Sequence, residues 1–379
     1  MKPQITLERT KAKLDLVKAM ASHNTDEARQ AQWALAKYVQ PVINEIIATA
    51  PTLSNFWTAQ SYNEDDSPSI PLDLYADTDE GFMTIWSASK PGSLASNLFT
   101  PSSEEIKVQT YRLDTAWSFD RKHAARSRLD VVGKTLARMA QEILLKREKT
   151  SATVLLDALA KTSTNDKSHV FRSHTAGELK LADFNRLITY LKRLNTSWTG
   201  GTPEARAGKG ITDLLVSPEI VESLRGLAYN PVNTQGTKSD IPATDSMRDA
   251  IYSNGGIPTF YGINIMEFNE LGVGQKWNTL FDTLAGSTTY AANYGGTGSA
   301  AVFDGVNEEL VIGLDLSKES LIRVEAVTNN EINGVDYPAV FSIFPDDQFV
   351  TRQQKVGFFG GLEEGRVILD TRAIVGLIV

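Results

Sequence analysis

Apolar side chains recur at intervals of three and four along the first fifty residues, with the spacing of two consecutive helices. Helices are predicted over residues 5–20 and 28–48, and the polar residues 22–25 between them include types that cap helix N-termini. Pro41 predicts a kink or a restart, because proline removes a backbone donor. We interpret this segment as an arm rather than a compact domain. The apolar stripe of its second helix consists of Trp33, Tyr38, Val39, Val42 and Ile46.

Beyond Pro51 the pattern changes from helical spacing to alternation. Two alternating runs, Phe82 to Ala88 and Glu105 to Leu113, predict strands, and a turn signal at 90–92 with a polar loop separates them. We expect a long two-stranded loop that protrudes. An isolated hairpin is only marginally stable in water, so its faces need another surface to lie on.

The next helical pattern covers residues 130–160 almost without breakers. At the rise of an α-helix this stretch is roughly 46 Å long, which is unusual for a globular domain. Its apolar spacing is not a strict heptad, so we predict a single spine helix rather than a coiled coil. A basic cluster precedes it, formed by Arg121, Lys122, Arg126 and Arg128.

The following part alternates between helix and strand patterns. Residues 181–194 place their apolar positions on one helix face. The run 211–216 reads as a buried strand that leads into Ser217 and Pro218, which suit the cap and the first position of a helix. A further short helix is predicted over 244–252.

From residue 300 onward the alternation is that of strands. Turns are predicted at Asn333-Gly334 and at Gly360-Gly361, and the chain ends in a strand-like stretch from 366 to 379. Together these patterns predict an α+β protein.

Composition limits the possible classes of protein. The chain has 379 residues, of which 41% are hydrophobic and 22% charged, so wholesale disorder is excluded. No apolar run exceeds four residues, whereas a membrane helix needs about 20, and we expect no membrane association. There is no cysteine, which excludes disulfides, thiol catalysis and cysteine-ligated zinc.

The net charge of −8 argues against a general nucleic-acid binder, whose affinity depends on Lys and Arg. Its distribution is uneven. Residues 51–115 contain ten acidic and three basic residues, while residues 121–150 contain nine basic and three acidic ones. These segments are suited to contact each other, or to contact neighbouring copies of the chain.

No group of residues has the pattern of a catalytic, cofactor or metal site. His169 and His174 fall in a predicted polar linker, without nearby ligand partners. Residues 201–210 lack the spacing and the final Ser or Thr of a phosphate loop. Glu363 and Glu364 adjoin a predicted turn, so we expect both to be exposed. We therefore predict a protein that is not an enzyme and that has no catalytic residues, no cofactor and no metal.

The order of these parts resembles the major capsid protein of tailed bacteriophages, with the Hong Kong 97-like fold. The resemblance depends on three stretches of sequence: WSFDRKHAARSRLDVVGKTLARMAQEILLKREKTSATVLLDAL at 117–159, DLLVSPEIVESLRGL at 213–227, and the ending from 353 to 379 with its DTRAIVGL run. It covers most of the chain.

The resemblance implies an N-terminal arm at 1–60 and an extended β-hairpin loop at 61–120. It further implies a peripheral domain with the spine helix at 121–165 and an axial domain at 166–315. Residues 316–379 would supply the return strands of the peripheral domain and the closing C-terminal strand.

The implied function is that of a structural subunit. Such subunits self-assemble through pentamers and hexamers into an icosahedral viral capsid that encloses double-stranded DNA, within the virion and after assembly in the host cytoplasm. Implied partners are the chain itself, a separate scaffolding protein, a portal and decoration proteins, with packaged DNA near only by non-specific proximity. Candidate interface residues are Phe82, Ile85, Trp86, Lys90, Arg121, Lys122, Arg126 and Arg128.

Two alternatives stay open at this point. An encapsulin-like nanocompartment shell would use the same fold to enclose an enzyme, and it would need a groove for a cargo peptide. An α/β hydrolase or nucleotide-dependent enzyme would need an acid, a base or a phosphate cradle, for which the sequence offers no pattern.

Overall fold

The structure is a computed structural model. It describes residues 11–22, 24–50, 52–63, 67–71, 105–126, 129–162, 169–196, 210–229, 259–260, 262–292, 298–332, 335–346 and 354–379. The predicted strand at 82–88, the predicted helix at 244–252 and the predicted turn at Asn333-Gly334 lie outside these residues.

The described helices are α1 Lys11–Ala19, α2 Thr25–Thr49, α3 Arg121–Ala125, α4 Leu129–Lys161, α5 Leu181–Thr196, α6 Pro218–Tyr229 and α7 Lys276–Ala285. Short 3-10 helices cover Leu53–Phe56, Leu316–Lys318 and Thr371–Ala373. The predicted spine helix is confirmed as α4, which has 33 residues.

The described strands are β1 Thr58–Asn63, β2 Ser69–Pro71, β3 Glu105–Lys107, β4 Thr110–Asp120, β5 Val170–Arg172, β6 Asp213–Val216, β7 Thr259–Phe260, β8 Ile263–Glu267, β9 Thr289–Tyr290, β10 Ala301–Val302, β11 Leu310–Leu314, β12 Leu321–Ile332, β13 Val335–Ala339, β14 Ser342–Asp346, β15 Lys355–Ile368 and β16 Ile374–Ile378. Helices and mixed sheets together confirm the predicted α+β class.

The chain forms two compact units. Unit 1 contains Met1–Ile70, Ile106–Ser151 and Ile322–Val367, and unit 2 contains Pro71–Glu105, Ala152–Leu321 and Ile368–Val379. One boundary between the units falls inside α4, after Ser151. The finer division into arm, loop, peripheral domain and axial domain stays a prediction.

The sheet of unit 1 is built around β15. Strands β4, β12 and β14 pair with β15, while β1 and β13 pair with β12. The β4–β15 ladder is antiparallel and unbroken from Thr110 opposite Gly365 to Asp120 opposite Lys355. One face of this sheet packs with α1, α2 and α4 in a single apolar cluster.

The N-terminal helices belong to that cluster. Asn24 caps α2, because its Oδ1 accepts a hydrogen bond from the backbone N–H of Asp26 at 3.2 Å. The helix continues through Pro41, so a restart of the helix there is wrong, while a kink at Pro41 stays a prediction. Val39 and Ile43, on either side of the proline, are both buried in the core of unit 1. Their packing keeps the helix continuous although Pro41 donates no hydrogen bond.

The predicted turn at Gly360-Gly361 is wrong. Both glycines lie in the middle of β15, opposite Thr115 and Asp114 of β4. At Gly360 the glycine is required by close packing, since a Cβ there would lie 2.5 Å from Cζ of Phe341. The glycines therefore mark close approach inside a strand, which sequence patterns do not distinguish from a turn.

Unit 2 contains a second mixed sheet, in the order β5-β16-β11-β6-β8-β7. Its core combines this sheet with the apolar faces of α5 and α6. The predicted strand-to-helix junction is confirmed, because the Ser217 hydroxyl accepts a hydrogen bond from the N–H of Ile220 at 3.2 Å and Pro218 is the first residue of α6. The chain ends in β16, which pairs with both β5 and β11.

Candidate subunit interface and buried charge network

Unit 1 exposes two aromatic side chains that contact each other. Trp33 of α2 and Phe344 of β14 are 41% and 38% exposed, and their rings meet edge to face with centroids 6.1 Å apart. The aromatic pair Trp33–Phe344 is thus held in place by α2 and β14, while about 40% of each side chain is exposed to solvent. Large, rigid aromatic side chains in this position are typical of association surfaces.

An open apolar groove of about 320 Å³ lies between α1 and α2. Leu16 and Leu35 line it, and Tyr38 forms part of its wall with 45% of its surface exposed. The ammonium group of Lys13 lies 4.9 Å from the centre of the Tyr38 ring, at cation–π distance. The predicted apolar stripe of α2 is therefore only partly buried, since Trp33 and Tyr38 remain outside the core.

The predicted interface residues divide into two groups. Phe82, Ile85, Trp86, Lys90 and Arg128 lie outside the described residues. Arg121, Lys122 and Arg126 lie at and after the start of α3, and the side chains of Lys122 and Arg126 are exposed.

Arg121 has partners within the chain. Its guanidinium donates to the backbone oxygen of Ala21 at 2.8 and 3.0 Å and also to the oxygen of Ser22. Because these oxygens follow α1, the positive charge stabilises the C-terminal end of that helix. An interface role for Arg121 stays a prediction.

A cluster of charged side chains is buried in unit 1. We call it the charge network, and its members are Tyr111, Arg147, Arg323, Glu325, Glu364 and Arg366. It joins β4, α4, β12 and β15. The expected exposure of Glu364 is wrong, because β15 continues through this position and turns the carboxylate into the protein.

Glu364 is the centre of the charge network. Its Oε2 accepts a hydrogen bond from Nε of Arg147 at 2.8 Å, and its Oε1 accepts from Arg366 and from the Tyr111 hydroxyl, each at 2.7 Å. Burial by itself raises the pKa of Glu364, but Arg147, Arg366 and the Tyr111 hydroxyl outweigh burial and hold this pKa below its ordinary value. Burial and the Glu364 charge raise the pKa of Tyr111, so the phenol keeps its proton.

The network extends from Arg147 to β12 and to the 3-10 helix after α2. Arg147 also donates to Glu325, and Nε of Arg323 lies 2.8 Å from the same carboxylate. Arg323 and Arg366 both donate to the Ser54 hydroxyl at 3.0 Å. Buried charges are expensive unless they are paired in this way, so the network's members depend on one another.

In unit 2 the predicted polar linker holds one buried histidine. Nδ1 of His169 lies 2.9 Å from the backbone oxygen of Thr371, and the side chain is largely buried. Burial lowers the pKa of His169, so the imidazole is neutral at pH 7. His169 itself is buried and contacts the 3-10 helix at 371–373, although a polar linker was predicted around it.

The described part of the chain contains no group of three or more His, Cys, Asp or Glu side chains that would hold a metal ion. None of the described helices combines the length and apolar composition needed to span a bilayer.

Comparison with solved structures returns shell proteins. The fold is similar to the capsid of a native GTA particle, with 12% identity, a TM-score of 0.47, and coverage of 86% of this chain and 89% of that chain. It is also similar to the capsid of cyanophage P-SCSP1u, with 13% identity, a TM-score of 0.45, and coverage of 85% and 86%.

A third similar structure is the SrpI encapsulin complex from Synechococcus elongatus PCC 7942, with 9% identity, a TM-score of 0.36, and coverage of 72% and 74%. No protein-family model matches the chain, and a search of curated proteins finds no match. The first two of these structures are capsids, and the third is an encapsulin complex.

Proposed function

We propose that this protein is the structural subunit of an icosahedral viral capsid of the tailed-phage type. Copies assemble through pentamers and hexamers into a shell that encloses double-stranded DNA, with assembly in the host cytoplasm and final location in the virion. A scaffolding protein, a portal and decoration proteins are its expected partners.

The observation that carries this proposal is the way in which the elements of unit 1 are packed. The 33-residue α4 and the unbroken β4–β15 ladder contribute to one core, and the same unit presents the aromatic pair Trp33–Phe344 to solvent. Of these features, the long helix and the strand β15 belong to the stretches 117–159 and 353–379, on which the resemblance depends. A rigid body with a preformed aromatic surface suits repeated self-association, because little side-chain entropy is lost when copies meet.

Charge provides a second contribution to assembly. The chain's acidic segment 51–115 and its basic segment 121–150 differ strongly in sign, and Lys122 and Arg126 are exposed. Between copies, such complementary surfaces steer the approach and fix the register more than they add affinity. In this proposal the extended loop with Phe82, Ile85 and Trp86 lies over a neighbouring copy.

Electron microscopy of the purified recombinant protein tests the proposal. The expected result is closed shells, or rings and tubes built from capsomers. A compact monomer that does not polymerise at high concentration overturns it. Mass spectrometry of purified shells separates the two shell functions, because a nanocompartment would retain a specific enzyme as cargo.

A further inference from the structure

The strand β15 contains three pairs of identical neighbours. They are Phe358–Phe359, Gly360–Gly361 and Glu363–Glu364. Successive residues of a strand point to opposite faces, so each pair offers the same side chain to both faces of the sheet. A slip of one residue therefore changes less in β15 than in an ordinary strand, and glycine-rich strands specify their register weakly.

One direction of slip is excluded by sterics. If β15 moved so that each residue took the place of the one after it, Phe359 would occupy the place of Gly360. A single added Cβ at that place would already lie 2.5 Å from Cζ of Phe341. No larger side chain fits without displacing Phe341, which is itself fully buried.

The opposite slip keeps much of the apolar core. Phe359 would replace Phe358, which stacks on Trp117 with ring centroids 5.3 Å apart, and Gly361 would replace Gly360 beside Phe341. At these two places the core would contain the same residue types as before. Apolar packing at these two places gives the native register no advantage, although Gly357 in the place of the buried Val356 would remove one apolar side chain from the core.

The charged side chains of β15 do distinguish the two registers. After this slip Gly365 would occupy the place of Glu364, and Val367 the place of Arg366. Arg147 would then lose its bond to the Glu364 carboxylate. The buried guanidinium groups of Arg147 and Arg323 would then share the single carboxylate of Glu325, which is unfavourable.

Glu363 opposes the same slip from the other face. Its Oε1 accepts hydrogen bonds from the hydroxyls of Thr110 at 2.7 Å and Tyr62 at 3.2 Å. The slip would move this carboxylate into the place of Leu362, which is buried in the apolar cluster of unit 1. An unpaired carboxylate in that cluster has no compensating partner.

We propose that the charge network, together with Glu363, sets the register of β15 in the sheet of unit 1. The apolar residues supply stability, and the charges add to the preference for the native alignment over a slipped one that keeps an aromatic ring and a glycine at two central places. Fixing a register is the best-attested use of buried polar groups. The register also decides which face of β15 is presented to solvent. This inference goes beyond the proposed function, since it concerns the folding of a single chain.

A disulfide reporter can test the register, because the chain has no cysteine of its own. Asp120 and Lys355 are directly opposite each other at the end of the β4–β15 ladder, so Asp120→Cys with Lys355→Cys cross-links only in the native register. In a slipped strand the cysteine at 355 points to the other face. The cross-linked fraction after refolding and oxidation is the readout.

The two cysteines are introduced into the parent chain and into three variants of it. The charge-free variant removes the charges of β15 and of their partner on α4, with Arg147→Met, Glu363→Leu, Glu364→Leu and Arg366→Met. It keeps the Arg323–Glu325 pair of β12. The matched control replaces another charged pair of the same sheet, Arg112→Met with Asp114→Leu, which lies on the exposed face of β4. The rescue variant adds Phe359→Thr to the charge-free variant, because a threonine in the place of Phe358 would leave a cavity beside Trp117 and so penalise the slip.

The parent and the matched control should cross-link almost completely. The charge-free variant should cross-link to a clearly smaller fraction, as a second register becomes populated, and the rescue variant should return to the parental fraction. Full cross-linking of the charge-free variant overturns the proposal. If the charge-free variant does not fold, recovery of folding and cross-linking in the rescue variant supports the proposal, and failure to recover overturns it.

Discussion

The carboxylate of Glu364 lies 2.8 Å from Nε of Arg147, although 217 positions of sequence separate the two residues. Their pairing joins the last long strand of unit 1 to its long helix. Both side chains are almost completely buried, so neither has water as an alternative partner. The consequences of this contact can be measured independently of any assembly.

Replacing Glu364 by glutamine should destabilise unit 1 by about 3 to 5 kcal/mol, because it leaves the buried Arg366 without a carboxylate and removes one of the two carboxylates that Arg147 contacts. Glu363→Gln is the matched control, since the same substitution at the neighbouring, half-buried position should cost about 1 kcal/mol. Urea unfolding followed by circular dichroism gives both values. Equal effects of the two substitutions would contradict the role assigned to Glu364.

The same pair predicts acid sensitivity. The pKa of Glu364 is lower in the folded than in the unfolded protein. The ionised carboxylate therefore contributes fully to folding stability above the ordinary Glu pKa of about 4.3, and this contribution is lost as the pH falls through the folded pKa. The unfolding midpoint in urea should therefore drop as the pH is lowered from 6 to 3. A variant with Arg147→Met and Glu364→Leu should show a shallower drop, and an unchanged slope would argue against this cause.

His169 predicts a second pH dependence in unit 2. Burial lowers its folded pKa, so the unfolded chain binds the proton more readily. The neutral His169 therefore contributes fully to the stability of the fold above the unfolded His pKa of about 6.5, and this contribution is lost as the pH falls below that value. His169→Asn should flatten the change in stability between pH 7 and 5, measured by hydrogen exchange in β5 and β16, whereas His174→Asn at an exposed position should leave it unchanged.

Two adjacent glycines should respond differently to alanine. Gly360→Ala should cost about 1 to 3 kcal/mol, because its Cβ would meet the buried ring of Phe341. Gly361→Ala should cost less, since its Cβ would meet the Asp114 carboxylate, which is half exposed and free to rotate away. Thermal unfolding of the two variants provides the comparison, and a costlier change at Gly361 would refute the packing argument.

The aromatic pair provides the test of the proposed interface. Trp33→Ser with Phe344→Ser should reduce the yield of shells or rings by about tenfold or more, as expected for anchors at an interface, while the monomer remains folded. Leu145→Ser is the control, since Leu145 is an exposed apolar residue of α4 outside the pair. Particle counts by electron microscopy and monomer circular dichroism separate assembly from folding. Normal shells from the double variant would exclude the pair from the interface.

Local sequence signals were sufficient for several elements. The spacing of apolar residues in α4 and the Ser217-Pro218 junction of α6 predict the observed structures, because caps and helix periodicity act within a few residues. Asn24 likewise lies in the polar break that was expected to cap α2. These features require no knowledge of distant parts of the chain.

Elsewhere local signals led to the wrong conclusion. Gly360 and Gly361 have the composition of a turn, but the ring of Phe341 makes a glycine necessary inside a strand. Pro41 has the composition of a helix break, but the burial of Val39 and Ile43 keeps α2 continuous. In both cases the deciding contact comes from residues distant in sequence.

What the sequence determined by itself is the long helix α4, the junction before α6 and the α+β class, since hydrophobic period and capping are properties of neighbouring residues. Only the tertiary structure decided which charges are buried. Glu363 and Glu364 are identical in the sequence, but their surroundings differ. The Glu363 carboxylate accepts from hydroxyl groups near the surface, whereas the Glu364 carboxylate pairs with two guanidinium groups in the core. The difference arises because strand alternation assigns them to opposite faces and because only one face meets Arg147 of α4.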